Sequence, residues 1–450
     1  MKRTIEQSKL AKGVAYLAIA FLIIGDSLFL GHYLSPNPIW ITWLSFGVIT
    51  VALAGYCLLQ TDWRRIIRQV PIELTLLLAL MLGGIFWSAY QLHSAISFSL
   101  QFGVVLIALF FAASFSWREI HLMLATTIRV IIFSSFAIEL ISSSFKGILA
   151  NLAPSSMPEI KGPLAVSGHL FDGGRIQGLL GNANYLAAWA LMGVIIFAIE
   201  TALRKDKRWL AIFSLVASVC MLLVSRSAGM IFATIAVLLA AVVCLLAEGK
   251  PREIRHRYYR YAWSLAGIAM FFVLVFRRPV FEILGKSPDM THRSDIWRNV
   301  LSLISQRPFE GWGFIGAWAP GVHPFEGLVV INGEKYYQAH NAYLDLWLQL
   351  GAIGLILFVT LLVRTFIKSW KLGVHHSNAL YLWPILILIT QLVRGVTESR
   401  LLIQSAMMLL ILIAVKVYDP EEFLEDNTNT SKIKQLDQLR ARPKRRVNLR

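Results

Sequence analysis

Apolar stretches close to the ~20 residues that carry a helix across a bilayer recur along the whole sequence. They lie near 13–30, 39–60, 72–90, 96–114, 120–142, 183–201, 209–225, 228–247, 261–276, 341–363, 378–393 and 400–416. One such stretch could be the core helix of a soluble domain, but a dozen cannot. In hydrocarbon, backbone N–H and C=O groups must be bonded internally, so runs of this length specify helices. The expected fold is all-α, a polytopic membrane protein of about twelve transmembrane helices. The composition agrees, with 56% hydrophobic and 15% charged residues over 450 positions. One transmembrane domain should cover 1–416, followed by a basic cytoplasmic tail over 417–450 that is expected to be disordered. The first run is long and lacks a small-residue cleavage site, so it reads as a retained helix.

A net charge of +17 could suggest nucleic acid, but the placement of the charge argues against that partner. Lys and Arg gather in short loops, at 2–12, 64–68, 204–208, 250–260 and 364–371, and in the last dozen residues. These alternate with loops poor in both, which puts the two termini in the cytoplasm. Membrane lipids are the expected surroundings. Cys57, Cys220 and Cys244 fall in apolar runs without metal-ligand spacing, so they read as buried thiols, and no metal site is expected.

Two long loops fall on the outward side, about 143–182 and 277–340. The second holds the helical stretch SDIWRNVLSLISQ, so a helical outward cap is expected. Outward segments should be poor in cations, yet these carry Arg175, Arg226, Arg277, Arg278, Arg293, Arg298, Arg307, Arg394 and Arg400. Cations beside hydrocarbon face a cavity or a partner. Guanidinium matches phosphate with paired N–H donors, so the cluster points to an anionic ligand. For any one arginine, snorkelling to the interface explains the position equally well.

Four segments carry the candidates. GGRIQGLLGNANYLAAWA places Arg175 in a glycine-rich approach to a helix, with Asn182 and Asn184 at its start. VSRSAGM puts Arg226 in a tight turn. In THRSDIWRNVLSLISQRPFEGWGFIG, Arg293 and Trp297 are four residues apart and share a helix face; Trp297 could stack on a sugar or fill the core. QAHNAYLDLWLQLGAIGLILF sets His340 and Asn341 at the mouth of a membrane helix, where an imidazole can accept a proton and Asn can cap. Gly351 and Gly354 should allow close helix packing.

HNAYLDLWLQLGAIGL resembles the signature of the O-antigen ligase and O-antigen polymerase superfamily, roughly H-N-x-x-L-x-x-x-x-E-x-G-x-x-G. His340, Asn341, Leu344, Gly351 and Gly354 fall in register, while Gln349 stands at the glutamate position and Asp345 lies one turn away. GRIQGLLGNANYLA, SRSAG and RSDIWRNVLSLISQRPFEGWGFIG are similar to further segments of that family, in the same order. The resemblance implies a GT-C-like enzyme at the outer face of the cytoplasmic membrane. It would pass a glycan from an undecaprenyl-diphosphate-linked donor to a hydroxyl of a lipid or glycan acceptor, inverting the anomeric centre without metal or other cofactor. It implies His340 as catalytic base or orienting group and Arg175 and Arg293 as diphosphate ligands. Asn341, Asn184, Arg226 and Trp297 would support them. Polymerisation of repeat units is an alternative within the family, and protein O-glycosylation a further one. A transporter or flippase of an anionic lipid-linked glycan is the alternative outside it, kept open by Arg129 within an apolar run.

Overall fold

In a computed structural model of the protein, residues 5–28, 38–144, 168–275, 293–331, 333–376 and 378–418 are described. The tail from 419 onward, Arg277, Arg278 and most of the first long loop lie outside the described residues.

The architecture is all-α and polytopic. The apolar helices are α1 (Ile5–Leu28), α2 (Pro38–Leu59), α4 (Ile72–Gly84), α5 (Gln91–Ser114), α6 (Trp117–Ser144), α7 (Ala183–Leu203), α8 (Arg208–Val224) and α9 (Ala228–Ala247). α10 (Arg252–Val275), α12 (Ala342–His375), α13 (Trp383–Thr397) and α14 (Gln404–Lys416) complete them. The short α3 (Trp63–Gln69) precedes α4, and α11 (Arg293–Ile304) lies in the second long loop beside a two-stranded hairpin, β1 (Val330–Ile331) and β2 (Glu334–Lys335). Each expected apolar run falls on one of these twelve helices. Eight of the described segments are long and apolar enough to cross a bilayer alone; α8 and α14 are shorter, and α4 forms a bent pair with α3 at 91°.

Several boundaries differ from the hydropathy reading for one reason: hydropathy measures apolarity, not helicity. The run 72–90 ends as helix at Gly84, and Ile85–Tyr90 form turns despite their apolar side chains. Tyr90 instead donates to Gly313 O at 2.6 Å, tying this turn to the loop after α11. Arg64, Arg65 and Arg68 lie on α3, whose axis turns at Pro71. Arg364, Lys368 and Lys371 extend α12 rather than forming a loop, because Lys and Arg are good helix formers. Cys57 and Cys244 are buried as expected, but Cys220 faces outward from α8.

The centre of the bundle is α7, α13 and α14. α7 is apolar all round, as a helix surrounded by protein must be, and every residue of α14 is buried. The turn 204–207 folds α8 back along α7. Arg129 on α6 donates to Glu200 Oε2 at 2.6 Å and to Ser214 Oγ at 2.8 Å, so its charge is paired among α6, α7 and α8.

α12 is broken near its start. Gly351 has φ 66° and ψ −173°, a region open only to glycine. The loop after α11 inserts there: Trp312 N donates to Leu348 O (3.0 Å), Gly313 N to Gln349 O (2.8 Å) and Ala352 N to Pro308 O (2.8 Å). A Cβ on Gly351 would sit 2.0 Å from Phe309 O. This glycine thus admits a loop backbone rather than another helix.

Candidate active site

The alternation of helices brings the starts of α7, α9, α12 and α14, and the ends of α1, α8 and α13, to one end of the bundle. Two asparagines fix the local geometry. Asn182 Oδ1 accepts from Asn184 N and Tyr185 N at the start of α7, and Asn341 Oδ1 accepts from Tyr343 N and Leu344 N at the start of α12. Asn341 therefore caps its helix. His340, one residue before that cap, has φ 49°, a left-handed conformation that costs a non-glycine residue energy. Trp297 Nε1 donates to Ala339 O at 3.0 Å, so its indole holds the backbone next to His340.

The hub of the site is Glu398, in the turn after α13. His340 Nδ1 lies 3.4 Å from its Oε2, and Arg293 Nη2 lies 3.6 Å from its Oε1. Asn184 Nδ2 donates to the same Oε1 at 3.0 Å, while Asn184 Oδ1 accepts from Arg175 Nη2 at 2.6 Å and Ser227 Oγ at 3.0 Å. Arg175 Nε also donates to Ser225 O at 3.3 Å. Arg175, through Asn184, and Arg293 thus meet at Oε1 of Glu398, and His340 meets its Oε2. Burial alone would raise the Glu398 carboxyl; the adjoining His340, Arg293 and Arg394 outweigh it and hold the group down to about 2.

Arg226 is placed differently. It is exposed in the turn between α8 and α9 with φ 46°, and its Nη2 lies 3.7 Å from where a Cβ on Gly173 would be. It borders the loop that carries Arg175 without joining the Glu398 network. Arg298 pairs with Asp295 at the surface, and Arg307 stacks on Trp312, 4.4 Å from the ring centroid, so neither reaches the hub.

Sequence patterning did not single out Glu398. Its signal was present in TESR, the one acid between Arg394 and Arg400 in a turn joining two apolar runs. A second buried layer lies beneath it. Asp26 accepts from Tyr185 and Ser405 hydroxyls, and Arg400 donates to Asp26 O. Arg394 and Arg400 stack on the Tyr185 ring, 5.3 and 4.7 Å from its centroid. Arg394 Nε and Nη2 and Arg400 Nη2 hydrogen-bond to no described residue.

Gln349 is fully buried and fully bonded. Its Oε1 accepts from Ile315 N and Gly316 N, both at 2.9 Å; its Nε2 donates to Gly316 O (3.1 Å) and Asp345 Oδ1 (2.9 Å). Asp345 Oδ1 also accepts from Trp318 Nε1 at 2.9 Å. The pair welds the Gly-Trp-Gly loop onto α12. An apolar groove of about 590 Å³ between α1, α2 and α5 ends at Gly316, Ile403 and Gln404. A small cavity lined by Asp26, Gln338, Ser399 and Arg400 shares Gly316 and Ile403 with it.

Comparison with known proteins finds similarity in the region that runs from α8 into α12. Residues 211–359, from α8 through the Gln349 joint into α12, match the O-antigen ligase family model. The chain is 36% identical over 87 residues to the "Putative polysaccharide ligase" of Rickettsia felis, covering 18% of this chain and 21% of that protein. It is 26% identical over 204 residues to the "Exopolysaccharide production protein ExoQ" of Rhizobium meliloti, covering 43% of this chain and 46% of that one. The matched region thus spans less than half the length of either relative. The similarity to the O-antigen ligase family thus lies in residues 211–359, about a third of the chain.

Proposed function

We infer that this multi-pass membrane protein transfers a glycan from an undecaprenyl-diphosphate-linked donor to a sugar hydroxyl of a lipid or glycan acceptor. The site faces outward from the cytoplasmic membrane, with both termini cytoplasmic. The observation that carries this reading is the convergence of Arg175, Arg293 and His340 on Glu398. Each guanidinium has five N–H donors and spends only some of them within the network, leaving others for phosphate oxygens. The groove between α1, α2 and α5 offers an apolar path for the polyprenyl chain, ending beside Arg400 and Gln404.

Glu398 holds the Nδ1 side of His340, so Nε2 is the atom that meets the acceptor. The acceptor hydroxyl oxygen attacks the anomeric carbon and its proton passes to Nε2. The bond from that carbon to the diphosphate breaks, and the arginines offset the charge that grows on the leaving oxygens. Direct displacement of this kind inverts the anomeric centre without a metal. The acceptor decides between ligation and polymerisation. The relative named for exopolysaccharide production favours keeping repeat-unit polymerisation as the second reading.

His340→Ala tests the proposal. The variant should accumulate in the membrane and fail to transfer; full transfer would remove the imidazole from the reaction. Deletion of the protein separates the two acceptors. Lipid-linked polymer accumulating without ligated long chains indicates a ligase, and single repeat units left on their acceptor indicate a polymerase.

A further inference from the structure

A further cavity lies away from His340. It is a cleft of about 780 Å³ enclosed by α9, α10, α12 and α13. Leu239, Val243, Tyr259, Phe366 and Trp370 form apolar walls, and Trp263, 71% exposed, stands at the side. The mouth is of a different character: Arg252, Arg255, His256, Lys371 and His375 line it, and no described lining residue is acidic. Two arginine–histidine contacts order this rim. Arg252 Nε donates to His256 Nε2 at 3.2 Å, and Arg255 Nη1 lies 3.1 Å from His375 Nε2. His375 Nδ1 in turn lies 2.8 Å from Lys371 O, which requires the Nδ1–H tautomer and leaves Nε2 to accept from Arg255. The histidines thereby orient the guanidinium groups without neutralising them.

Position separates this cleft from the site at His340. Lys371 and His375 close α12, whereas His340 precedes its first residue. From Ala352 to Lys371 the helix rises by ~30 Å, the thickness of the hydrocarbon layer. The two sites therefore belong to opposite membrane faces, and the cleft opens on the face where the short basic loops gather.

We propose that this cleft binds an anionic glycerophospholipid of the leaflet opposite His340. The phosphate headgroup meets the Arg252, Arg255 and Lys371 rim, and an acyl chain fills the apolar walls. Basic pockets between transmembrane helices recognise lipid headgroups in this way, and the volume is that of an ordinary ligand cleft. The charge complementarity sets the sign of the ligand, because a zwitterionic headgroup brings its own cation to a rim that already holds three. The lipid also has a structural task. α10 packs principally against α9, so a chain in the cleft ties it to α12 and α13 as well.

The full-length protein, purified and placed in mixed phosphatidylcholine and phosphatidylglycerol nanodiscs, tests this by native mass spectrometry of retained lipid. The wild type should keep phosphatidylglycerol at least tenfold in preference to phosphatidylcholine. Arg255→Gln/Lys371→Gln should lose that preference, and Val243→Trp should lose retention altogether while leaving the rim intact. Arg64→Gln/Arg68→Gln on α3 should retain the wild-type preference. Equal retention of both lipids by the wild type overturns the proposal. So does undiminished preference in the rim variant, an equal loss in the α3 variant, or a polyprenyl phosphate recovered from the native membrane in place of a phospholipid.

Discussion

Asn184 Nδ2 donates to Glu398 Oε1 at 3.0 Å, across 214 residues of sequence. The amide joins the start of α7 to the turn after α13, and its oxygen side takes Arg175. Amide and carboxylate together make one joint from which Arg175, Arg293 and His340 all hang. Removing the carboxylate charge therefore acts directly on Arg293 and His340, and on Arg175 through Asn184.

Glu398→Gln keeps the shape of that joint and deletes its charge. His340 then loses the partner on its Nδ1 side, and Arg293 loses its counter-ion. Where a carboxylate orients a catalytic imidazole, the amide substitution costs about 10⁴ in rate. A fall in transfer of about 10²–10⁴ is expected here at wild-type protein level, measured with lipid-linked donor and purified acceptor. Transfer within threefold of wild type would assign Glu398 to packing alone.

The same carboxylate sets an acid limit. Its ordinary value is 4.5 and the folded protein holds it near 2, a difference worth roughly 3 kcal/mol. A depressed carboxyl stabilises the fold fully above its unfolded value. That contribution is lost as pH falls from about 4.5 toward 2. The melting temperature of wild type minus that of Glu398→Gln should shrink as pH falls below 4.5. A difference independent of pH would show that the two variants differ for another reason.

Arg175→Lys isolates guanidinium geometry from charge. An ammonium cannot span Ser225 O and Asn184 Oδ1 while still offering a paired face to phosphate. Loss of one such contact in a transition state costs ~3 kcal/mol, so kcat/KM should fall by about 100-fold. Arg298→Lys, at an exposed position paired with Asp295, should leave transfer unchanged and serves as the control.

The membrane helices were legible because hydropathy along 20 residues is a strong local signal. Arg175, Asn184, Arg293 and His340 stood out because polar groups at helix mouths are rare against that background. What joins them was not legible. Glu398 lies in a turn of a few residues, and nothing local says that it meets Asn184 or His340. The turns at Ile85–Tyr90 escaped for the opposite reason, since their side chains are as apolar as a helix and only a distant acceptor, Gly313 O, explains their shape. Gly351 was visible as a glycine, but the loop that enters there comes from about 40 residues earlier in the sequence.

Gln349 stands where the signature that this chain resembles has glutamate, and its surroundings say what the amide does. Oε1 takes two backbone N–H groups, and Nε2 serves Gly316 O and Asp345 Oδ1. Gln349→Glu keeps the two acceptor contacts and loses the two donor contacts. It also sets a second carboxylate against Asp345 in a buried joint, where each unmet polar group costs ~1–3 kcal/mol. The single variant should melt several degrees below wild type and lose transfer, because the Gly-Trp-Gly loop is no longer fixed to α12. Asp345→Asn removes the charge that opposes the new carboxylate, and its amide oxygen still accepts from Trp318. The double variant Gln349→Glu/Asp345→Asn should therefore recover most of the lost stability, a coupling that two independent sites would not show. If the two losses simply add, the charge at this joint is not shared between positions 345 and 349, and Asp345 does not do in this chain what a glutamate at 349 would do.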